Sequence, residues 1–350
     1  MELVQTANEF CVEGEIYSVK PYGEGHINQT YLAVSDKKRY ILQRINTNLF
    51  TKPDELMFNI EKVTQHIAKK YKSQGKSTDR LLQIVPTKTG KSFLQLEEGC
   101  FRTYVFIENA ISHQKANEKL FYQSAVAFGQ FAEDLSDFDA SILYDVLPSF
   151  HDTTVRFKNF ENAVNADVVG RKASVQAEID FYMQRKHYCD MIVARLKDGR
   201  LPLRVTHNDT KLNNVMLDEK TDAPVAVIDL DTVMSGSVCY DFGDSIRFGC
   251  NTAAEDEPDL DKVQFSLPLY QSYAKGYLST FPAMTDEEKR MLPYGAIIMT
   301  YECGMRFLTD YLQGDTYFRT SREGHNLDRC RTHIKLIEEM EKCLAQMQLI

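Results

Sequence analysis

The sequence predicts an α+β chain in two unequal lobes, a small β-rich one followed by a larger, mainly helical one. Three observations carry this. Short alternating segments fill roughly the first hundred residues, helical patterns dominate beyond Asn109, and 350 residues exceed what one hydrophobic core usually serves. The crossover falls near Glu108-Asn109, which sets the lobes at residues 1–108 and 109–350.

After a short helix near the start, residues 15–20 alternate in character and run into Pro21-Tyr22-Gly23-Glu24-Gly25. Residues 30–34 read as a second strand, 35–38 as a polar turn and 39–45 as a third strand, so the three form an antiparallel meander. Pro53-Asp54-Glu55 opens a helix whose apolar face, Leu56, Ile60, Val63 and Ile67, has helical spacing. Residues 92–96 and 101–107 are further strands joined through Glu97-Glu98-Gly99. Beyond them Phe121, Ala125, Phe128, Ala132 and Leu135 mark a long amphipathic helix, and residues 177–196 another. The apolar run Val225-Ala226-Val227-Ile228 has strand length, and Ile334, Ile337, Met340, Leu344 and Met347 line a C-terminal helix. No internal repeat is present.

Composition excludes several classes. Lysine plus arginine number 41 against 50 aspartates and glutamates, and the net charge of −9 is an unfavourable field for nucleic acid. The eight cysteines never stand in C-x-x-C or another metal spacing, so free buried thiols are expected. No run of about 18 apolar residues offers a membrane span. The start, MELVQTANEFCVEGE, lacks a basic region followed by an apolar run, and a cytoplasmic protein is expected.

The chemistry concentrates in His207-Asn208-Asp209-Thr210-Lys211-Leu212-Asn213-Asn214, whose spacing is H-x-D-x-x-x-x-N. In kinase-type sites such a loop holds an aspartate that accepts the proton of the attacking hydroxyl and an asparagine whose amide oxygen meets magnesium. Asp209 and Asn214 have that separation. A polar Asx-turn is the bland alternative. Against it, the strand at residues 225–228 delivers Asp229 at its carboxyl end, where a second carboxylate suits a hard cation. Asp231 ranks below Asp229, its plainer role being a cap or turn. His207 reads as a hydrogen-bonding strut of the loop.

Asp241-Phe242-Gly243 spells the metal-binding tripeptide of protein kinases but comes a further turn too late, after Ser235-Gly236-Ser237. Asp241 and Asp244 are instead expected to buttress the loop by hydrogen bonds, and Arg247 to pair with a carboxylate or phosphate. In the small lobe Gly23 and Gly25 lie in a turn between strands, where backbone can approach phosphates closely. The third strand offers Gln43 where a phosphate-binding lysine is expected. Tyr104, Phe106 and Glu108 fall in the interlobe segment whose backbone would meet adenine.

These residues together resemble the aminoglycoside phosphotransferase and choline kinase superfamily, whose members share a two-lobed protein-kinase-like fold. Within it, residues 22–28, 39–43, Phe150-His151-Asp152-Thr153, residues 204–214, Ile228-Asp229-Leu230-Asp231-Thr232, residues 241–249 and residues 302–308 look like the N-acetylhexosamine 1-kinases of bacterial sugar salvage. Gln43 in the lysine position also looks like that family. The resemblance implies phosphorylation of the anomeric hydroxyl of GlcNAc or GalNAc by ATP with Mg2+, Asp209 acting as base on the bound sugar and Asn214 and Asp229 as metal ligands. Arg247, Phe248, Arg306 and Tyr317 become candidates for sugar contacts. The rival readings are a kinase of an aminoglycoside, choline or another sugar, for which the acidic run at residues 254–259 is the motivating feature, and a nucleotide-binding pseudokinase, motivated by the missing lysine.

Overall fold

The computed structural model describes residues 2–23, 27–114 and 117–349. The chain begins with α1 (Leu3–Asn8), β1 (Ile16–Pro21), β2 (Gln29–Ser35), β3 (Arg39–Ile45), α2 (Pro53–Ser73), β4 (Ile84–Val85), β5 (Leu94–Leu96), β6 (Gly99–Val105) and β7 (Ala110–Ile111). It continues with α3 (Glu118–Asp134), α4 (Thr153–Ala166), α5 (Gln176–Gln184), α6 (Tyr188–Lys197), β8 (Arg204–Thr206), β9 (Val215–Asp218), β10 (Pro224–Val227) and β11 (Met234–Gly236). Four helices complete it: α7 (Val238–Gly249), α8 (Leu267–Thr280), α9 (Asp286–Leu312) and α10 (His325–Met347).

Two compact units result. The first comprises Met1–Ser112, Ile142–Leu147 and Val215–Met234, and the second His113–Ser141, Pro148–Asn214 and Ser235–Ile350. The first of these boundaries falls after Ser112, and two later segments return to the first unit. Backbone pairing explains one return: β9 bonds to β10 on one side and β7 on the other, with Ala110 opposite Asp218 and Ile111 opposite Leu217. Asn59 explains the other. Fully buried on α2, it donates to the carbonyls of Tyr144 (2.8 Å) and Val233 (2.9 Å) and accepts from the Tyr144 amide (2.9 Å). Buried polar groups must be paired, and a sequence pattern cannot show pairings so distant along the chain.

In the first unit the expected meander is β1, β2 and β3, extended to the order β1-β2-β3-β6-β4 with β5 also on β6. Ala7, Phe10, Ile16, Ala33, Tyr40, Leu42, Val85 and Phe101 form a core beneath it. α2 starts on a proline with Asp54 and Glu55 in its first turn and ends with Lys70 and Lys72, charges that oppose its dipole. It buries Leu56, Ile60, Val63 and Ile67, as their spacing requires.

In the second unit, α3 is capped by Asn117, whose side chain accepts the Leu120 amide. α9 starts in a capping box between Thr285 and Glu288. The single helix expected over residues 177–196 is two helices. The chain turns at Arg185-Lys186-His187, where the Arg185 guanidinium is held bidentately by Glu341 of α10 at 2.9 Å. No glycine or proline marks that break, so a tertiary contact decides it. On α10 Ile337, Met340 and Met347 of the expected stripe are buried, joined by Cys330, His333 and Leu336, while Ile334 and Leu344 are only half-buried. Among the described residues no helix is long and apolar enough to cross a membrane.

Candidate active site

The loop after β8 is anchored before it begins. Arg204 holds Glu288 bidentately at 2.9 and 3.0 Å, which ties β8 to the first turn of α9. Thr206 and His207 are then fully buried, His207 edge-on to the rings of Phe128 and Phe131. Its Nδ1 accepts the Asp209 amide at 3.3 Å, the strut role expected of it. Asn208 takes a left-handed conformation (φ 65°), which asparagine tolerates better than most residues.

Asp209 projects from this turn with its side chain 27% exposed. Asn214 Nδ2 donates to the Asp209 carbonyl (2.7 Å) and to its Oδ2 (3.1 Å), so the five-residue spacing closes a ring on itself. With the amide nitrogen so committed, the Asn214 side-chain oxygen is the end left to meet a cation. Lys211 Nζ lies 2.7 Å from Asp209 Oδ1. Burial pulls this lysine's pKa down, but Asp209 and Asp244 outweigh it and raise the group, so its charge is secure. Sequence reasoning passed over Lys211; a cation two residues after the aspartate was the available signal.

α7 clamps the loop from behind. Asp241 accepts the amides of His207 (2.8 Å) and Asn208 (2.7 Å), Asp244 accepts that of Thr210 (3.0 Å), and the Thr210 hydroxyl donates to the Asp241 carbonyl (2.6 Å). Ser245 donates to the Thr210 carbonyl (2.8 Å) and receives the Tyr273 hydroxyl (2.6 Å). Burial pushes the Asp241 carboxyl up to about 6. For Asp244 burial pushes the same way, but Arg247 and then Lys211 outweigh it, and its pKa falls. The kinase-like tripeptide is thus wholly structural. Asp241 spends both oxygens on backbone amides, and Phe242 is fully buried against Tyr270, Tyr273 and Tyr277. A Cβ on Gly243 would stand 2.3 Å from the Gly295 carbonyl oxygen of α9.

In the first unit, Asp229 follows β10 in a left-handed conformation (φ 60°, ψ 58°) and opens a short turn over Leu230–Thr232. Asp231, on that turn, is buried, and its carboxylate is taken by Arg102 and Asn28. It serves as an internal strut here. Arg102 is the residue the sequence did not disclose. It is 1% exposed, stands opposite Gln43 in the β3–β6 register, and donates from Nε to Gln43 Oε1 at 3.0 Å. Gln43 in turn donates to Thr30 Oγ1 at 3.0 Å, which makes a polar ladder across β2, β3 and β6. The guanidinium lies 5.2 Å from the Tyr104 ring centroid. Burial opposes its charge, yet Asp231 first among its neighbours, and Asp229 too, raise its pKa. Opposite Gln43, one strand away, the sheet thus holds a buried cation that Gln43 orients.

The expected nucleotide residues divide. Gly23 has φ 75° with open space where a Cβ would point, a turn conformation that favours glycine. Gly25 lies outside the described residues. Tyr104 is buried, and burial raises its hydroxyl pKa. The Phe106 ring meets Tyr22 edge-on at 5.8 Å and has the Arg39 guanidinium 4.1 Å over its face, while Glu108 pairs with Arg39.

Of the expected sugar contacts, all in the second unit, Arg247 is buried and held by Asp244 (2.8 Å) and Glu255 (2.8 Å), the carboxylate pairing anticipated for it, and Phe248 is 45% exposed. Arg306 lies 5.4 to 5.8 Å from the ring centroids of Phe150, Tyr317 and Phe318. Asp310 fixes Tyr317 in place by accepting the amides of Thr316, Tyr317 and Phe318 at 2.8 to 2.9 Å. Nearby, His151 Nδ1 meets Glu302 Oε1 at 3.0 Å, and both side chains are buried.

Comparison with known proteins accords with this geometry. The phosphotransferase enzyme family matches residues 18–275. Among solved structures, an aminoglycoside phosphotransferase from Alicyclobacillus acidocaldarius subsp. acidocaldarius superposes with a TM-score of 0.64 at 13% identity, over 97% of this chain and 93% of that one. A spectinomycin phosphotransferase in complex with ADP and spectinomycin gives 0.56 at 14% identity, over 99% and 98%. A choline kinase from Streptococcus pneumoniae gives 0.52 at 14% identity, over 94% of each. At such identities the likeness is one of fold, the kinase fold these proteins share. With more than half its length matched by the family and its loop built on Asp209 and Asn214, the chain belongs to the phosphotransferase enzyme family.

Proposed function

We propose that this phosphotransferase moves the γ-phosphoryl group of ATP to the anomeric hydroxyl of an N-acetylhexosamine, GlcNAc or GalNAc, giving the sugar 1-phosphate. The observation that carries the phosphoryl-transfer part is the half-exposed Asp209 carboxylate on a loop whose backbone is fixed by Asp241, Asp244 and Asn214. Asp209 takes the proton of the acceptor hydroxyl as its oxygen bonds to the γ-phosphorus. The bond to the β–γ bridging oxygen breaks, and ADP leaves with that electron pair. Rigid positioning and charge neutralisation supply most of the acceleration in such a reaction. Lys211 keeps Asp209 oriented and offers a positive charge to the transferred group.

Magnesium bound with ATP would neutralise phosphate charge. The Asn214 amide oxygen and the Asp229 carboxylate are hard oxygen donors of the type it takes, and the resemblance assigns it to them. ATP as donor is supported by the ADP-bound and AMP-bound spectinomycin phosphotransferase structures. Against the pseudokinase reading stand Asp209, Asn214 and Asp229, all present at the motif positions.

The acceptor rests on the resemblance, with one supporting observation. The acidic run that would suit a cationic acceptor is already neutralised internally: Glu255 by Arg247, Asp256 by Arg322, and Glu257 and Asp259 by Lys262. Arg306 among three aromatic rings suits a neutral, hydroxyl-rich ring better than an ammonium group. A coupled ADP-release assay with GlcNAc, GalNAc, choline and kanamycin, each with and without magnesium, tests this. Turnover on neither N-acetylhexosamine would overturn the acceptor assignment. Asp209→Asn should lower kcat by about 10²–10⁴ with ATP affinity retained by calorimetry; unchanged kcat would remove Asp209 from the reaction.

A further inference from the structure

Glu255, Cys303 and His333 come together in the second unit from three parts of the chain: the loop after α7, the middle of α9 and the core face of α10. One ligand atom from each lies within 4.8 Å of the other two. His333 is 3% exposed, and its ring is oriented by a 2.7 Å hydrogen bond from Nδ1 to the Arg329 carbonyl. A carbonyl can only accept, so Nδ1 carries the proton and Nε2 presents a lone pair. That nitrogen is buried without a hydrogen-bond partner and stands 3.9 Å from Glu255 Oε1.

A buried, unpartnered imidazole nitrogen is costly unless something completes it. A histidine whose other nitrogen donates to a backbone carbonyl is the usual arrangement of a metal ligand. The geometry points to a site for a borderline-soft divalent cation of the zinc type, ligated by Cys303 Sγ, His333 Nε2 and a Glu255 carboxylate oxygen, with a fourth position for water. Tetrahedral zinc, with bonds of roughly 2.0–2.3 Å, separates neighbouring ligand atoms by roughly 3.3–3.8 Å, so a contraction of about an ångström or less closes the set. Glu255 Oε1, the oxygen 3.9 Å from His333 Nε2, also accepts from Arg247 at 2.8 Å, so ligation requires the carboxylate to share that oxygen or turn its other one inward. Cys303 enters as its thiolate, releasing its proton to solvent. This set is unlike the all-oxygen donors of a magnesium site, so the ion would not be the one that accompanies ATP. The three residues lie far apart in sequence, which is why no cysteine spacing announces them.

The test uses the full, tag-free chain, reduced without a chelating thiol. Equilibrium dialysis against Zn2+ should show one equivalent bound, and Co2+ should produce a thiolate-to-cobalt charge-transfer band in the near ultraviolet. Cys303→Ser should abolish the band, and Glu255→Gln and His333→Gln should each weaken binding at least tenfold, with circular dichroism spectra like that of the parent. Zn2+ should also slow alkylation of Cys303, followed by peptide mass spectrometry. Absence of the cobalt band at saturation, or retention of the bound equivalent in Cys303→Ser, would overturn the site. If His333→Gln does not fold, Cys303→Ser and Glu255→Gln still decide it.

Discussion

Asp241→Asn separates a loop buttress from a metal ligand and makes an unusual pH prediction. In the native protein both Asp241 oxygens accept backbone amides, at 2.7 and 2.8 Å, inside a fully buried site. An asparagine can accept only one of them and turns its own N–H₂ toward the other, leaving a buried donor unpaired at about 1–3 kcal/mol. The carboxylate has its own cost. Burial raises its pKa from 3.8 to about 6; at 1.36 kcal/mol per unit, ionisation takes about 3 kcal/mol from the folded state. Because the folded pKa lies above the unfolded one, the stability contributed by the protonated carboxyl is fully present below about pH 4 and is lost as pH rises through about 6. The amide does not titrate. The stability advantage of the parent over Asp241→Asn should therefore be largest below about pH 4 and shrink by about 3 kcal/mol by pH 7.5, as read from paired urea unfolding curves. A constant difference, or one growing with pH, would show that the two amides stabilise the carboxylate more than burial opposes it, and would refute the reasoning. At pH 7.5 the variant should also lose activity through loop displacement while its magnesium dependence stays that of the parent; a lost response to magnesium would make Asp241 a ligand after all.

Two further substitutions probe the framework. Arg102→Met leaves Asp231 buried without its cation and should cost about 3–5 kcal/mol of unfolding free energy; adding Asp231→Leu should restore most of it, and an unaltered urea midpoint in the single variant would show that the pair carries no weight. Gly243→Ala would gain about 1 kcal/mol from helix propensity in an open helix, but the 2.3 Å approach of its Cβ to the Gly295 carbonyl should turn this into a loss of about 1–3 kcal/mol, and a raised thermal midpoint would contradict close α7–α9 packing.

What the sequence revealed was local. The spacing of His207, Asp209 and Asn214 translated directly into hydrogen bonds within one turn, and the buried stripe of α2 followed from its period. Asp241 was separated from the metal-binding role by its place in the chain, and its bonds to the loop bear that out. Arg102 stayed hidden because its meaning depends on strand register: only the β3–β6 pairing sets it opposite Gln43. The same limit applies to β9 returning to β7 and to the break between α5 and α6, which a contact to Glu341 imposes on an unbroken helical pattern. Lys211 differs, for it stood inside the motif and was overlooked.

α7 joins these findings. Within four consecutive residues it gives Asp241 and Asp244 to the loop, Phe242 to the tyrosines of α8, and Gly243 to the backbone of α9. Catalytic geometry and core packing are written in the same short stretch, so selection for one is selection for the other. A deep mutational scan should find residues 241–244 almost without neutral substitutions. Tyr317, 67% exposed, faces no such double demand, and on the proposed acceptor reading a change of acceptor during evolution would leave its trace there first.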